Sequence, residues 1–92
     1  MVEQANLKKL SDFDNNSLLI VDDDNPFRDR LARAMEKKGF QVFQAEGVKK
    51  GIQTVKEKKP CFAVVDLQEQ HHRIDSLHFL LLKLMHYHIQ II

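Results

Sequence analysis

Two apolar runs in this chain stop abruptly at carboxylates. Leu18-Leu19-Ile20-Val21 ends in Asp22-Asp23-Asp24, and Cys61-Phe62-Ala63-Val64-Val65 ends in Asp66. Carboxylates held close together repel and raise one another's pKa unless a cation neutralises them. A hard divalent ion suits such a set, and magnesium in particular keeps several waters and bridges one or two carboxylates to a phosphate. An aspartate beside such an ion is a competent nucleophile toward a phosphoryl group, because catalysis of that transfer is mostly positioning and charge stabilisation. The simplest alternative for Asp22-Asp23-Asp24 is a solvated helix start, where acids are favoured by the helix dipole. Asp24 suits that role; Asp22 and Asp23 become candidates for more when Asp66 is considered with them.

The elements that must bring these acids together are legible in the periodicity. From Ser17 to Val65 short apolar runs alternate with amphipathic stretches, the pattern of βαβ units around a parallel sheet. The first strand, Leu18 to Val21, is continuously apolar, as expected of a strand covered on both faces. Asn25-Pro26 reads as a helix N-cap followed by proline at the first helical position. Phe27, Leu31, Ala34 and Met35 form the apolar stripe of that helix, with Arg28, Asp29, Arg33, Glu36 and Lys37 facing water. Gly39 supplies a left-handed cap, with Phe40 placed for the accompanying hydrophobic contact. A short second strand at about 40–43 has the polar flanks of an edge. A second helix carries Val48, Ile52 and Val55, is weakened by Gly51 by roughly 1 kcal/mol, and stops at Lys59-Pro60. Residues 61–65 are the third strand.

Right-handed crossovers and short connections put strands one and three side by side with strand two outside, the 2-1-3 arrangement of flavodoxin-like sheets. Asp22, Asp23 and Asp66 then converge at the switch point where such sheets bind ligands. After Leu67 the composition shifts to leucine and histidine. Gln68 to Arg73 reads as a polar link, and Ile74 to Tyr87 as a helix with Leu77, Leu80, Leu81, Leu84 and Met85 on its apolar face. The division expected is a polar leader over 1–16, a βαβαβ unit over 17–67 and an unrelated helical tail over 68–92, leaving strand three as an open edge.

At these residues the chain resembles the receiver domains of two-component response regulators. Leu18 to Asp24 looks like their first strand and acidic pair, and Phe62-Ala63-Val64-Val65-Asp66-Leu67 like their third strand with its phosphorylated aspartate. Arg30 to Phe40, with Ala45-Glu46-Gly47-Val48 and Val64 to Leu67, is similar to the RegA/PrrA/ActR redox-responsive subfamily in particular. The resemblance covers Ser17 to Leu67. It implies an incomplete flavodoxin-like (CheY-like) α/β fold, Asp66 as acceptor of phosphate from a sensor histidine kinase, Asp23 as a direct Mg2+ ligand and Asp22 as one acting mainly through water. Asp66 completes the metal set. It also implies a non-enzymatic signalling role, with intact response regulators as further partners. The family's Ser or Thr after a fourth strand and its Lys after a fifth are not identifiable, since Ser76 and Lys83 follow no strand-like run, and no DNA-binding helix-turn-helix appears. A truncated, impaired switch is therefore expected, and a frame change or chimaeric join near Leu67 would account for the shift in composition.

Other features narrow the field. A formal net charge of +1 gives no general attraction to nucleic acid or membrane. Residues 77–85, interrupted by His78 and Lys83, fall short of the ~20 apolar residues a membrane span needs. The single cysteine, Cys61, reads as a buried inert thiol and excludes an internal disulfide framework, which suits a reducing cytoplasm. His71, His72, His78, His86 and His88 match no zinc spacing. Two rival functions remain. One is an aspartate-nucleophile phosphatase of the haloacid-dehalogenase type using Asp22 and Asp24, disfavoured by Pro26 and by having no use for Asp66. The other is a non-phosphorylated module docking on a kinase or regulator through the first helix.

Overall fold

A computed structural model describes residues 16–67 and 74–92. The polar leader, apart from Asn16, and the link with His71 and His72 fall outside the described residues. Seven elements follow in chain order: β1 (Ser17–Asp22), α1 (Asn25–Lys37), β2 (Gln41–Ala45), α2 (Val48–Lys58), β3 (Phe62–Asp66), α3 (Ile74–His86) and β4 (Gln90–Ile91). All strand pairings are parallel, and the sheet order is β2-β1-β3-β4. The expected flavodoxin-like α/β fold is present, with β2 at an edge and β1 beside β3.

Alternation along β1 explains why its apolar run is unbroken. Leu18 and Ile20 pack on one face with Ala32, Met35, Phe40 and Phe62, beneath α1. Leu19 and Val21 pack on the other with Val48 and Val55 of α2 and Leu80 and Leu84 of α3. Right-handed crossovers require this division: β1 to β2 steps one way along the sheet, whereas β2 to β3 and β3 to β4 step the other, so α1 lies alone opposite α2 and α3. Gly51 lets α2 sit close on β1, because a Cβ there would lie 3.2 Å from Val21 Cγ2.

Several boundaries differ from the sequence expectation. Asp24, rather than Asn25, caps α1: its side chain accepts the Phe27 N–H at 3.0 Å, which moves the helix start one residue earlier. The buried stripe of α1 is Ala32 and Met35, supported by half-buried Leu31, while Phe27 and Ala34 are exposed. The helix ends as expected, with Gly39 at φ 102° and Phe40 buried. The Gly39 N–H donates to Glu36 O and the Phe40 N–H to Met35 O, the paired bonds of a Schellman cap. Strands β2 and β3 each lie slightly later than expected. Cys61 precedes β3 and is half-buried rather than fully enclosed.

The largest departure is at the tail. Its helix forms as expected, burying Leu80 and Leu84, but Met85 is 67% exposed instead of facing the core. Beyond it the chain turns through His88, whose φ is 58°, and adds β4 beside β3. Gln90 N–H donates to Cys61 O and Ile92 N–H to Ala63 O, so the edge expected to be open is covered along its first half.

Candidate functional site at the carboxyl ends of β1 and β3

The parallel register sets Asp22 of β1 directly beside Asp66 of β3, on strands spaced roughly 4.8 Å apart. Both end their strands at the crevice where the chain order reverses. Asp66 is exposed and open to a reactant, Asp23 is half-buried, and Asp22 is 2% exposed. Burial pushes the Asp22 carboxyl above its ordinary value of 3.8; the Asp24 N–H opposes this, and the charges of Asp66, Asp23 and Asp24 add to the rise. The structure thus brings Asp22 and Asp66 within mutual electrostatic reach, with Asp23 next in the chain.

Asp22 is held atom by atom. Its Oδ1 accepts the Asp24 N–H at 2.8 Å and its main-chain oxygen accepts Arg28 Nη1 at 2.9 Å. Its Oδ2 is buried without a hydrogen-bond partner among the described residues. A buried, unbonded carboxylate oxygen in a cluster of like charges is a poor arrangement for the protein alone and a good one for a cation. Among the described residues no three His, Cys, Asp or Glu side chains are grouped to hold a metal by themselves. The donor set therefore fits an ion that takes one or two carboxylates and fills its remaining positions with water and phosphate oxygens, as Mg2+ does.

Arg28 is the contributor that periodicity missed. Placed on the wet face of α1, it instead folds back over the helix start. Its Nη1 donates to Asp22 O and, at 2.7 Å, to Asn25 Oδ1, and its Nε donates to Gln44 Oε1 at 3.1 Å. Only the three acceptors, on separate elements, reveal the role, and no spacing rule connects them. The remaining candidates lie elsewhere. Ser76 lines an apolar groove between α2 and α3 with Val48, Lys49, Ile52 and Phe79. Lys83, in the last turn of α3, stands 5.3 Å from the centre of the Phe79 ring. His78, His86 and His88 are exposed and form no metal cluster among the described residues.

A parallel sheet in the order β2-β1-β3-β4, with acids ending its two central strands, defines a receiver-like α/β domain. The chain belongs to the VpsR domain family, whose model matches residues 6–90 and so extends across Leu67 into the tail. The photosynthetic apparatus regulatory protein RegA of Rhodobacter capsulatus is 56% identical over 54 residues, covering 59% of this chain and 29% of the relative. RegA of Rhodovulum sulfidophilum is 60% identical over 52 residues, covering 56% and 28%. The acid tolerance regulatory protein ActR of Sinorhizobium medicae is 56% identical over 54 residues, covering 59% and 28%. The chain is thus related to response regulators of two-component signalling and spans under a third of the length of these relatives. The crystal structure of the anti-anti-sigma factor PhyR from Bartonella quintana superposes with a TM-score of 0.70 at 21% identity, covering 91% of this chain and 34% of that one. That likeness establishes the fold on both sides of Leu67. Among the described residues no helix is long and apolar enough to cross a membrane.

Proposed function

We propose that this chain is a receiver-type phosphoryl acceptor, taking phosphate on Asp66 from the phosphohistidine of a sensor histidine kinase in the cytoplasm. The observation that carries the reading is the pairing of Asp22 with Asp66 at adjacent strand ends, with Asp22 Oδ2 buried and unbonded. An Asp66 carboxylate oxygen attacks phosphorus in line, the phosphorus–nitrogen bond breaks, and its electron pair returns to the imidazole. Asp22, Asp23 and Asp66 would hold Mg2+, one or two of them directly and the rest through its waters. When bound, the ion offsets the charge on the phosphoryl oxygens. Asp22, fixed through Oδ1 and its main-chain oxygen, presents its second oxygen without reorganising. The chain serves as phosphoryl acceptor rather than enzyme, with intact response regulators as further partners. An impaired read-out of the phosphorylated state is part of the same reading.

Acetyl phosphate with Mg2+, followed by intact mass, tests the reading. A phosphate adduct is expected on the wild type and not on Asp66→Asn. No adduct on a folded, Mg2+-loaded chain overturns it in favour of a docking module. Phe27, 43% exposed in the first turn of α1 beside the acidic end, favours α1 as the docking element in that case. The phosphatase alternative is weakened because Asp24 is engaged as the cap of α1.

A further inference from the structure

We infer that Arg28 is a positioning residue for the cation site, an inference that rests on the proposed role of Asp22 and Asp23. Its side chain joins three elements at the acidic end. One bond goes to the main-chain oxygen that terminates β1, one to Asn25 in the first turn of α1, and one to Gln44 near the end of β2. Its own N–H donates to Asp24 O at 2.8 Å, closing the first helical turn beneath the side chain. The turn from Asp22 to Asn25, which carries the proposed ligands, is therefore held from the β1 side and from the α1 side by one half-buried guanidinium.

The consequence is specific to Asp22. Two of its three oxygens already accept a hydrogen bond, Oδ1 from the Asp24 N–H and the main-chain oxygen from Arg28, which leaves Oδ2, buried without one, as the oxygen offered to a cation. The planar fork of arginine lets Nη1 and Nε serve acceptors on different elements at once, which a lysine ammonium on a flexible stem does less well. Groups that orient a metal ligand without touching the metal change affinity by about 10–100-fold when removed. Arg28 acts in that way, as an orienting donor and not as a ligand.

The test is Mg2+ titration, followed by calorimetry and by the Mg2+-dependent rise in melting temperature, on the full chain and on Arg28→Gln, Arg28→Lys and Gln44→Ala. Arg28→Gln is expected to raise the Mg2+ dissociation constant about 10-fold or more. Its melting temperature in EDTA should fall only slightly, and acetyl phosphate should still label Asp66 at saturating Mg2+. Arg28→Lys should recover part of the affinity. Gln44→Ala, which removes one anchor of the guanidinium on an exposed side chain, should shift affinity in the same direction by less. A dissociation constant within twofold of wild type in both Arg28→Gln and Gln44→Ala overturns the inference while leaving the site intact. A wild type that shows neither a Mg2+ response nor an adduct overturns the proposed function and this inference together.

Discussion

At the scale of single residues, Asp22 connects the fold to its chemistry. Its carboxyl is buried among like charges, and its folded-state pKa lies above the ordinary 3.8. The folded chain therefore binds that proton more tightly than the unfolded chain. The stabilisation is fully present below 3.8 and is lost as pH rises through the folded-state value, because the ionised form is then held in the protein at a cost. In EDTA, Asp22→Asn is expected to melt higher than wild type at pH 7, with the difference vanishing below pH 3.8. Added Mg2+ should raise the melting temperature of the wild type and not that of the variant. A wild type that is the more stable of the two at pH 7 in EDTA would show that Asp22 is satisfied by the protein alone. Asp24, two residues on, has a different fate: it accepts the Phe27 N–H and functions as a cap. Identical residues two apart thus divide between a structural role and the proposed chemical one according to where the strand ends.

At the scale of elements, helix ends carry most of the remaining information. The caps of α1 and α3 use the same paired bonds, Gly39 and Phe40 reaching Glu36 and Met35 in one, His88 and Ile89 reaching Met85 and Leu84 in the other. The first places glycine at the left-handed position and the second a histidine at φ 58°. A side chain there costs roughly 1–2 kcal/mol, so His88→Gly should stabilise the chain by about 1 kcal/mol in urea denaturation; a loss of stability would mean that the His88 ring makes compensating contacts. The same contrast explains what the sequence made legible. Gly39 marks its cap, and the continuous apolar runs mark β1 and β3, so Asp22 and Asp66 could be placed at adjacent strand ends before any coordinates. The cap at His88 and the two-residue β4 carry no such signature: Gln90 is polar, and the strand exists because Ile89 and Ile92 find opposite faces of the sheet. Arg28 was hidden for a related reason, since helical periodicity assigns a face to a residue but does not register a side chain that folds back over the helix start.

At the scale of the whole molecule, the question is whether α3 and β4 are an appendage to the βαβαβ unit or part of the same cooperative structure. Packing argues for the second. Leu80, Leu84 and Ile89 share one buried cluster with Leu19 and Val21 of β1 and with Val48 and Val55 of α2. Val21 immediately precedes Asp22, so the tail supports the floor of the site from the face opposite α1. Truncating a fully buried leucine costs about 2–5 kcal/mol, a large fraction of the roughly 5–15 kcal/mol by which whole domains are stable. Leu84→Ala should therefore lower the unfolding free energy measured in urea by that amount, and the amides of β1 should exchange hydrogen faster by the same free energy as those of α3. Mg2+ should recover part of the loss, since a ligand bound only to the folded state at about 100 times its dissociation constant adds roughly 2.7 kcal/mol. The appendage view makes the opposite forecast: α3 amides would lose protection while β1 kept its own. Equal loss in both elements would mean that residues on either side of Leu67 fold as one unit, as expected when a single parallel sheet draws its core from both.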